Sequence, residues 1–272
     1  GLILPALRER YDLVLLDVRH TDAQGRAVEG VQIADLLNPD RDAYRAHFAG
    51  ADAVVHCGFV FSEDKAPDEQ FAVEMDNVRQ AYNVYRVSWE ERVRRVVVCS
   101  SNHAADYYER LILAKQWDVV TPEMRPFSDN FYGWAKDVYE HLGFLFAVGR
   151  VLGSPLENVQ IRIGGPRETD VDDVPLGDLT RLRRALAVYL SQRDMQQLFI
   201  KSIEAEDIRD EHGVPFQVFY GISDNPHAFW SIVNARRVIG YAPQDNSELR
   251  FREGIARHLA AAAEREARAR AR

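Results

Sequence analysis

Cysteine is scarce in this chain: two in 272 residues, Cys57 and Cys99, each in an apolar, strand-like run. That scarcity excludes a disulfide scaffold and makes buried free thiols in a reducing compartment the expectation. The eight histidines show no His-x-x-x-His or mixed Cys/His spacing, so no metal site is expected. No apolar run approaches the ~18–20 residues of a bilayer span. No secretory signal is visible either, and a cytoplasmic location is expected. Positive charge is also short: 34 Lys+Arg stand against 42 Asp+Glu, a net charge of -8. Phosphate backbones need a positive surface, so nucleic acid is excluded as a main partner. There is no internal repeat. What is present, 46% hydrophobic, 10% aromatic and 28% charged, can bury one large core or two modest ones.

Strand-like and helix-like patterns alternate through the first part of the chain. An amphipathic helix is predicted over 2–11, with Pro5 near its first turn. Continuously apolar strands follow at 13–17, 51–57 and 95–99, with weaker ones at 31–33 and 159–163. Helices are predicted at 41–48, 68–92 and 131–152. No hairpin signal separates the strands, so the connections are crossovers and the fold class is α/β, a Rossmann-like doubly wound parallel sheet. Beyond Gly165 helices at 179–190 and 194–205 and a strand at 216–220 read as a small carboxyl-terminal substrate lobe. The expected organisation is a dinucleotide-binding domain over 1–165 and a lobe over 166–272, interleaved with the sheet. The alanine–arginine stretch 260–272 reads as a solvated helix.

Ligands of such sheets sit at the carboxyl ends of the strands. Polar residues cluster there: Asp17, Asp35, His56-Cys57-Gly58, Ser100-Ser101-Asn102-His103 and Gly164-Gly165. Tyr132 and Lys136 are four apart on one helix and share a face. A phenol of pKa ~10 is a poor base at neutral pH, and a neighbouring ammonium lowers that pKa. Tyr-x-x-x-Lys alone is common, and an exposed aromatic–lysine pair is its ordinary meaning. Following a strand-end serine, it is far more specific. Asp17 can accept both hydroxyls of an adenosine ribose or cap a turn; Arg19 nearby leaves a phosphorylated ribose open. Asp35 can meet an adenine edge or act as a cap.

In the order Asp17, Asp35, Val54-Val55-His56-Cys57-Gly58, Ser100-Ser101-Asn102-His103, Tyr132-Gly133-x-x-Lys136 and Arg162-Ile163-Gly164, most of the chain resembles the extended short-chain dehydrogenase/reductase superfamily, the NAD-dependent epimerase/dehydratase-like group. Within it, Ser-Ser-Asn-His followed by Tyr107-Tyr108, and the segment from Phe229-Trp230 to Asn246, look like the NAD-dependent uronate dehydrogenases. The resemblance implies NAD as cofactor and Tyr132 as the base for a sugar hydroxyl. Lys136 would lower the Tyr132 pKa and hold the nicotinamide ribose, and Ser101 would polarise the reacting oxygen. Asn102 and His103 would touch the sugar, and Arg184 would grip a substrate carboxylate, which suits a guanidinium fork; otherwise it is a solvated arginine in the basic run 181–184. Gly1, Asp17, Asp35, Leu36, Cys57, Gly58 and Asn77 would line the cofactor. A homodimer or higher homo-oligomer through the two long helices is the expected assembly.

Two departures from the family pattern stand out. The family opens with a strand and a Gly-x-x-Gly-x-x-Gly turn that holds the pyrophosphate, and this chain begins at what resembles the last of those glycines, Gly1, so a preceding segment is expected. After Arg162-Ile163-Gly164 the uronate enzymes carry a serine that bonds the sugar, where Gly165 stands here. The stretch between His103 and Tyr132, with Lys115, Trp117 and Asp118, is also longer and is expected near the site mouth. The implied activity is NAD-dependent oxidation of a sugar or sugar acid. A cofactor-retaining sugar-nucleotide epimerase or dehydratase is the alternative, against which the short lobe weighs. A catalytically inactive nucleotide-binding relative is the other, against which the joint presence of Ser101, Tyr132 and Lys136 weighs.

Overall fold

The computed structural model of the protein describes residues 1–166 and 171–271. Four strands form one parallel sheet in the order β3 (Ala53–His56), β4 (Arg95–Ser101), β5 (Glu157–Ile163) and β6 (Phe216–Gly221). Two more, β1 (Leu15–Asp17) and β2 (Val31–Ile33), form a separate parallel pair. The expected parallel α/β architecture is present, with its sheet in two sections. Both sections feed the same two core layers, since Leu13 and Val55 pack into one while Leu16 and Val54 pack into the other.

Alternation along β4 shows how the layers arise. Val96 and Val98 face one side and meet Val84, Tyr85 and Val87 of α3 (Pro67–Glu90) and Tyr139 and Phe146 of α5 (Phe131–Val148). Val97 faces the other side and meets Leu198 and Phe199 of α7 (Gln192–Glu204), Phe219 of β6 and Trp230. Successive strand residues point to opposite faces, and helices on both faces make a continuously apolar strand stable. β3 departs from that pattern: Ala53–Val55 are only half-buried, because β3 is an edge strand paired to β4 alone. Cys57, one residue beyond it, is exposed and Cys99 is half-buried, so the two thiols are not the buried pair expected from their apolar neighbours.

The first predicted helix is only α1 (Leu4–Arg8), closed by a turn in which the Glu9 amide donates to Pro5 O and the Arg10 amide to Leu7 O. The remaining helices are α2 (Asp42–Arg45), α4 (Tyr107–Leu113), α6 (Leu179–Val188), α8 (Val233–Ile239), α9 (Ser247–Arg250) and α10 (Arg252–Arg270). Among the described residues no helix is long and apolar enough to cross a membrane.

α5 carries the Tyr-x-x-x-Lys pair, and several contacts fix it in place. Asn130 caps it by accepting from the Gly133 amide at 2.8 Å. Gly133 itself admits no side chain: a Cβ would lie 2.0 Å from the carbonyl oxygen of His103. One turn beyond Lys136, Glu140 is buried against the sheet. It accepts from Arg162 Nε at 2.8 Å and Nη2 at 2.7 Å, and from Ser100 Oγ at 2.7 Å. Arg162 also donates to the Tyr220 hydroxyl at 2.9 Å, so one buried network joins α5, β4, β5 and β6. Removing one member of a buried pair strands the other charge, at a cost of ~3–5 kcal/mol. Arg162→Met is therefore expected to lose about that much stability in urea unfolding, while Arg162→Met with Glu140→Leu loses less.

Candidate active site

Ser101 closes β4 in extended backbone and accepts the His103 amide on its hydroxyl at 3.2 Å, which turns the chain into a short 3-10 turn, Asn102–Ala105. The turn, unpredicted like α4 after it, lies directly over the start of α5. That stacking brings His103 to Tyr132, with ring centroids 5.6 Å apart and edge-on. Phe59 flanks the same phenol at 5.9 Å. Lys136 Nζ lies 5.4 Å from the Tyr132 ring centroid and donates to the Cys99 carbonyl at 3.1 Å. Ser101, Tyr132 and Lys136 thus come together at the carboxyl end of β4.

The electrostatics differ from the expectation. Burial pushes the Tyr132 phenol well above its ordinary pKa, and the Ser101 hydroxyl, hydrogen-bonding the phenol, is the main opposing influence. The Lys136 ammonium is itself held below its ordinary value by burial. In the free protein desolvation therefore dominates, and the Ser101 hydrogen bond only partly offsets it. Burial also pushes His56 down to about 3, with the Lys136 charge adding to it, so the His56 ring is neutral at pH 7. For His103 burial disfavours the charged ring, yet its 2.5 Å contact with Asp106 Oδ2 carries the pKa above the ordinary value.

Several residues that composition and spacing did not single out shape the site. Glu74 is buried, accepting from Ser62 Oγ at 2.6 Å and Asn77 Nδ2 at 3.1 Å. Asn77 in turn clamps Val60, accepting its amide at 2.7 Å and donating to its carbonyl at 2.9 Å, which holds the loop after β3. Glu109 pairs with Arg184: Nε donates to Oε2 at 3.1 Å and Nη2 to Oε1 at 3.3 Å. Arg184 is therefore neither a solvated surface arginine nor a free fork for a carboxylate. One signal was readable in advance: Glu140 continues the Tyr132, Lys136 spacing, and Asp106 lies one turn from His103.

The other predicted residues spread along the strand tips. Asp17 is exposed at the end of β1 and accepts the Arg19 amide at 3.2 Å; Asp35 is exposed after β2 and accepts the Leu37 amide at 2.9 Å. Both thus act as turn caps, each through one oxygen. The Leu36 carbonyl accepts from Asn83 Nδ2 at 2.7 Å, anchoring that turn to α3. Gly58 faces Gln80, whose Oε1 would lie 2.9 Å from an added Cβ. Gly1 is exposed beside α1. Gly165 leaves β5 and bonds the backbone of 188–190, donating to Val188 O at 2.7 Å and accepting from the Leu190 amide at 3.0 Å. The stretch before Tyr132 lies over α4, with Trp117 against Tyr108 at 5.8 Å, and is tied to Phe229, whose carbonyl accepts the Val120 amide at 2.7 Å.

No family model matches the chain. It is 30% identical over 247 residues to the L-arabinose 1-dehydrogenase (NAD(P)(+)) of Haloferax volcanii, covering 88% of this chain and 85% of that protein. It is 29% identical over 221 residues to the uronate dehydrogenase of Pseudomonas syringae pv. tomato, covering 81% and 68%. The crystal structure of uronate dehydrogenase from Agrobacterium tumefaciens shares its fold at a TM-score of 0.69 and 27% identity, covering 94% of this chain and 85% of that one. With identity of that order over nearly the full length of both proteins, the chain belongs to the extended short-chain dehydrogenase/reductase family.

Proposed function

We propose that the protein is an NAD-dependent oxidoreductase acting on a carbinol of a sugar or sugar acid, with Tyr132 as general base. The observation that carries this reading is the meeting of Ser101, Tyr132 and Lys136 beside the cleft at the carboxyl end of β4. The compared relatives act, by their names, on a neutral pentose and on a uronate.

The residues at the strand tips suit a dinucleotide. Val18, Phe59, Val60 and Phe61 are exposed there, an apolar lining that flat rings would cover. The second carboxylate oxygen of Asp17 is unused among the described residues and is available to ribose hydroxyls; that of Asp35 is available to an adenine edge beside Leu36. Cys57, Gly58 and the loop held by Asn77 line the path toward Tyr132, and Gly1 would lie beside the phosphates. NAD, when bound, supplies the hydride acceptor.

The protein's own part is positioning and the proton path. Ser101 orients the reacting hydroxyl toward the Tyr132 oxygen, which takes its proton. Lys136 has two N–H groups beyond its bond to Cys99 O, enough to reach a ribose hydroxyl while favouring phenolate. Asn102 and His103 contact the sugar from the turn above, and Gly165 and Arg184 border it within the 166–272 lobe and its edge. Because the base must be ionised, oxidation speeds up as pH rises toward the phenol's titration.

NAD reduction measured across a panel of sugars and sugar acids tests the activity; no reduction by any of them rejects it. Tyr132→Phe is expected to lower kcat about 10²–10⁴-fold while fluorescence-detected NAD binding persists. In Lys136→Met the rising limb of the pH–rate profile should move to higher pH, since the stabilising cation is gone. For His103, an NMR titration should give a pKa above that of free histidine, and Asp106→Asn should bring it down.

The partner reading is a homodimer through α3 and α5, which leave Phe71, Met75, Tyr82, Leu145 and Val148 exposed. Sedimentation equilibrium should give a dimer mass that Met75→Glu lowers; a monomer at every concentration rejects this assembly.

A further inference from the structure

We infer that this site selects a neutral sugar over a uronate or a sugar phosphate, because Glu109 already occupies the guanidinium fork of Arg184. The inference rests on the oxidoreductase reading and specifies its substrate.

The pair sits beside the turn that follows Ser101. Glu109 Oε1, besides its bond from Arg184 Nη2, accepts from Asn102 Nδ2 at 3.4 Å, and Asn102 directly follows Ser101. The ion pair is therefore tethered to the residue that presents the serine hydroxyl. Glu109 is largely buried and Arg184 about one-third exposed, so the arginine's charge is met from inside the protein.

An anionic substrate is held best by a cation with an open fork, and among the described residues the cationic groups His103, Arg162 and Lys136 near Ser101 are engaged. His103 is held by Asp106, and Arg162 is enclosed by Glu140 and Tyr220. Lys136 is buried at the base of the tyrosine and bonded to Cys99 O. Glu109 takes the Nε/Nη2 edge, so a substrate carboxylate would either displace it, stranding a buried charge, or take the Nη1 side with Glu109 as a like charge on the same guanidinium; both penalise binding.

A neutral sugar meets neither obstacle. A carboxylate offers about four lone-pair sites. Two are taken by Arg184 and one by Asn102, which leaves Glu109 able to accept a sugar hydroxyl. Gly165 adds no charge to the same border. Selectivity then resides in one carboxylate that converts an anion-binding arginine into part of a neutral, polyol-binding wall.

Matched sugars test this directly: galactose against galacturonate and glucose against glucuronate differ only in a CH2OH or a carboxylate at one carbon. For the full chain, kcat/KM in NAD reduction is expected to be about tenfold or more higher for the neutral member of a pair. Glu109→Gln, which keeps the shape and removes the charge, should shrink that ratio by about tenfold. A wild-type preference for the uronate, or no preference, overturns the inference and leaves the oxidoreductase reading standing. Absence of NAD reduction by all four and by the wider panel defeats that reading instead. Calorimetric titration of the same four sugars without cofactor supplies a readout free of hydride transfer: tighter binding of the neutral members supports the inference, and equal, absent or reversed discrimination overturns it.

Discussion

The buried contact between Glu140 and Arg162 is the constraint on which the site depends. α5 could slide or rotate over an apolar sheet face at modest cost, because dispersion contacts are non-directional. A bidentate carboxylate–guanidinium pair with further bonds to Ser100 and Tyr220 is confined to a narrow geometry. Glu140 lies one turn from Lys136 and two from Tyr132 on the same helix face. Locking Glu140 to β5 therefore sets where the phenol and ammonium stand relative to Ser101. The close approach at Gly133 sets the other end of the same helix against the 3-10 turn.

Around that frame, charges are matched inside the protein. Arg184 meets Glu109, His103 meets Asp106 and Arg162 meets Glu140, in a chain whose net charge is -8. The groups around Ser101 are thus hydroxyls, amides and rings together with paired charges. Burial holds Tyr132 as a neutral phenol in the free protein, against the Ser101 hydroxyl that favours phenolate.

Much of the fold could be read along the chain. The apolar run of β4, the long helices α3 and α5, and the alternation that makes the sheet parallel were all legible, because burial on two faces leaves a continuous apolar signature; β5 is interrupted by Asn158, Gln160 and Arg162. β3 was less legible: its composition is that of a covered strand, but its edge position depends on which strands pair with it. α4 and the 3-10 turn were hidden, since their polar residues serve the site and the turn begins from a serine hydroxyl bond.

By itself, the sequence determined the α/β class, which follows from periodicity, and placed a serine at a strand end and a Tyr-x-x-x-Lys pair on one helix face, while the family entered through the resemblance of its ordered motifs. The tertiary structure alone decided the partners of the charged groups. Glu109 and Arg184 lie 75 positions apart, and Glu140 and Arg162 lie 22 apart on different elements. No local pattern records such contacts, because they exist only after packing brings distant faces within hydrogen-bond reach and burial makes an unpaired charge costly. The same holds for the Tyr132 pKa, whose direction is set by how completely neighbouring elements exclude water.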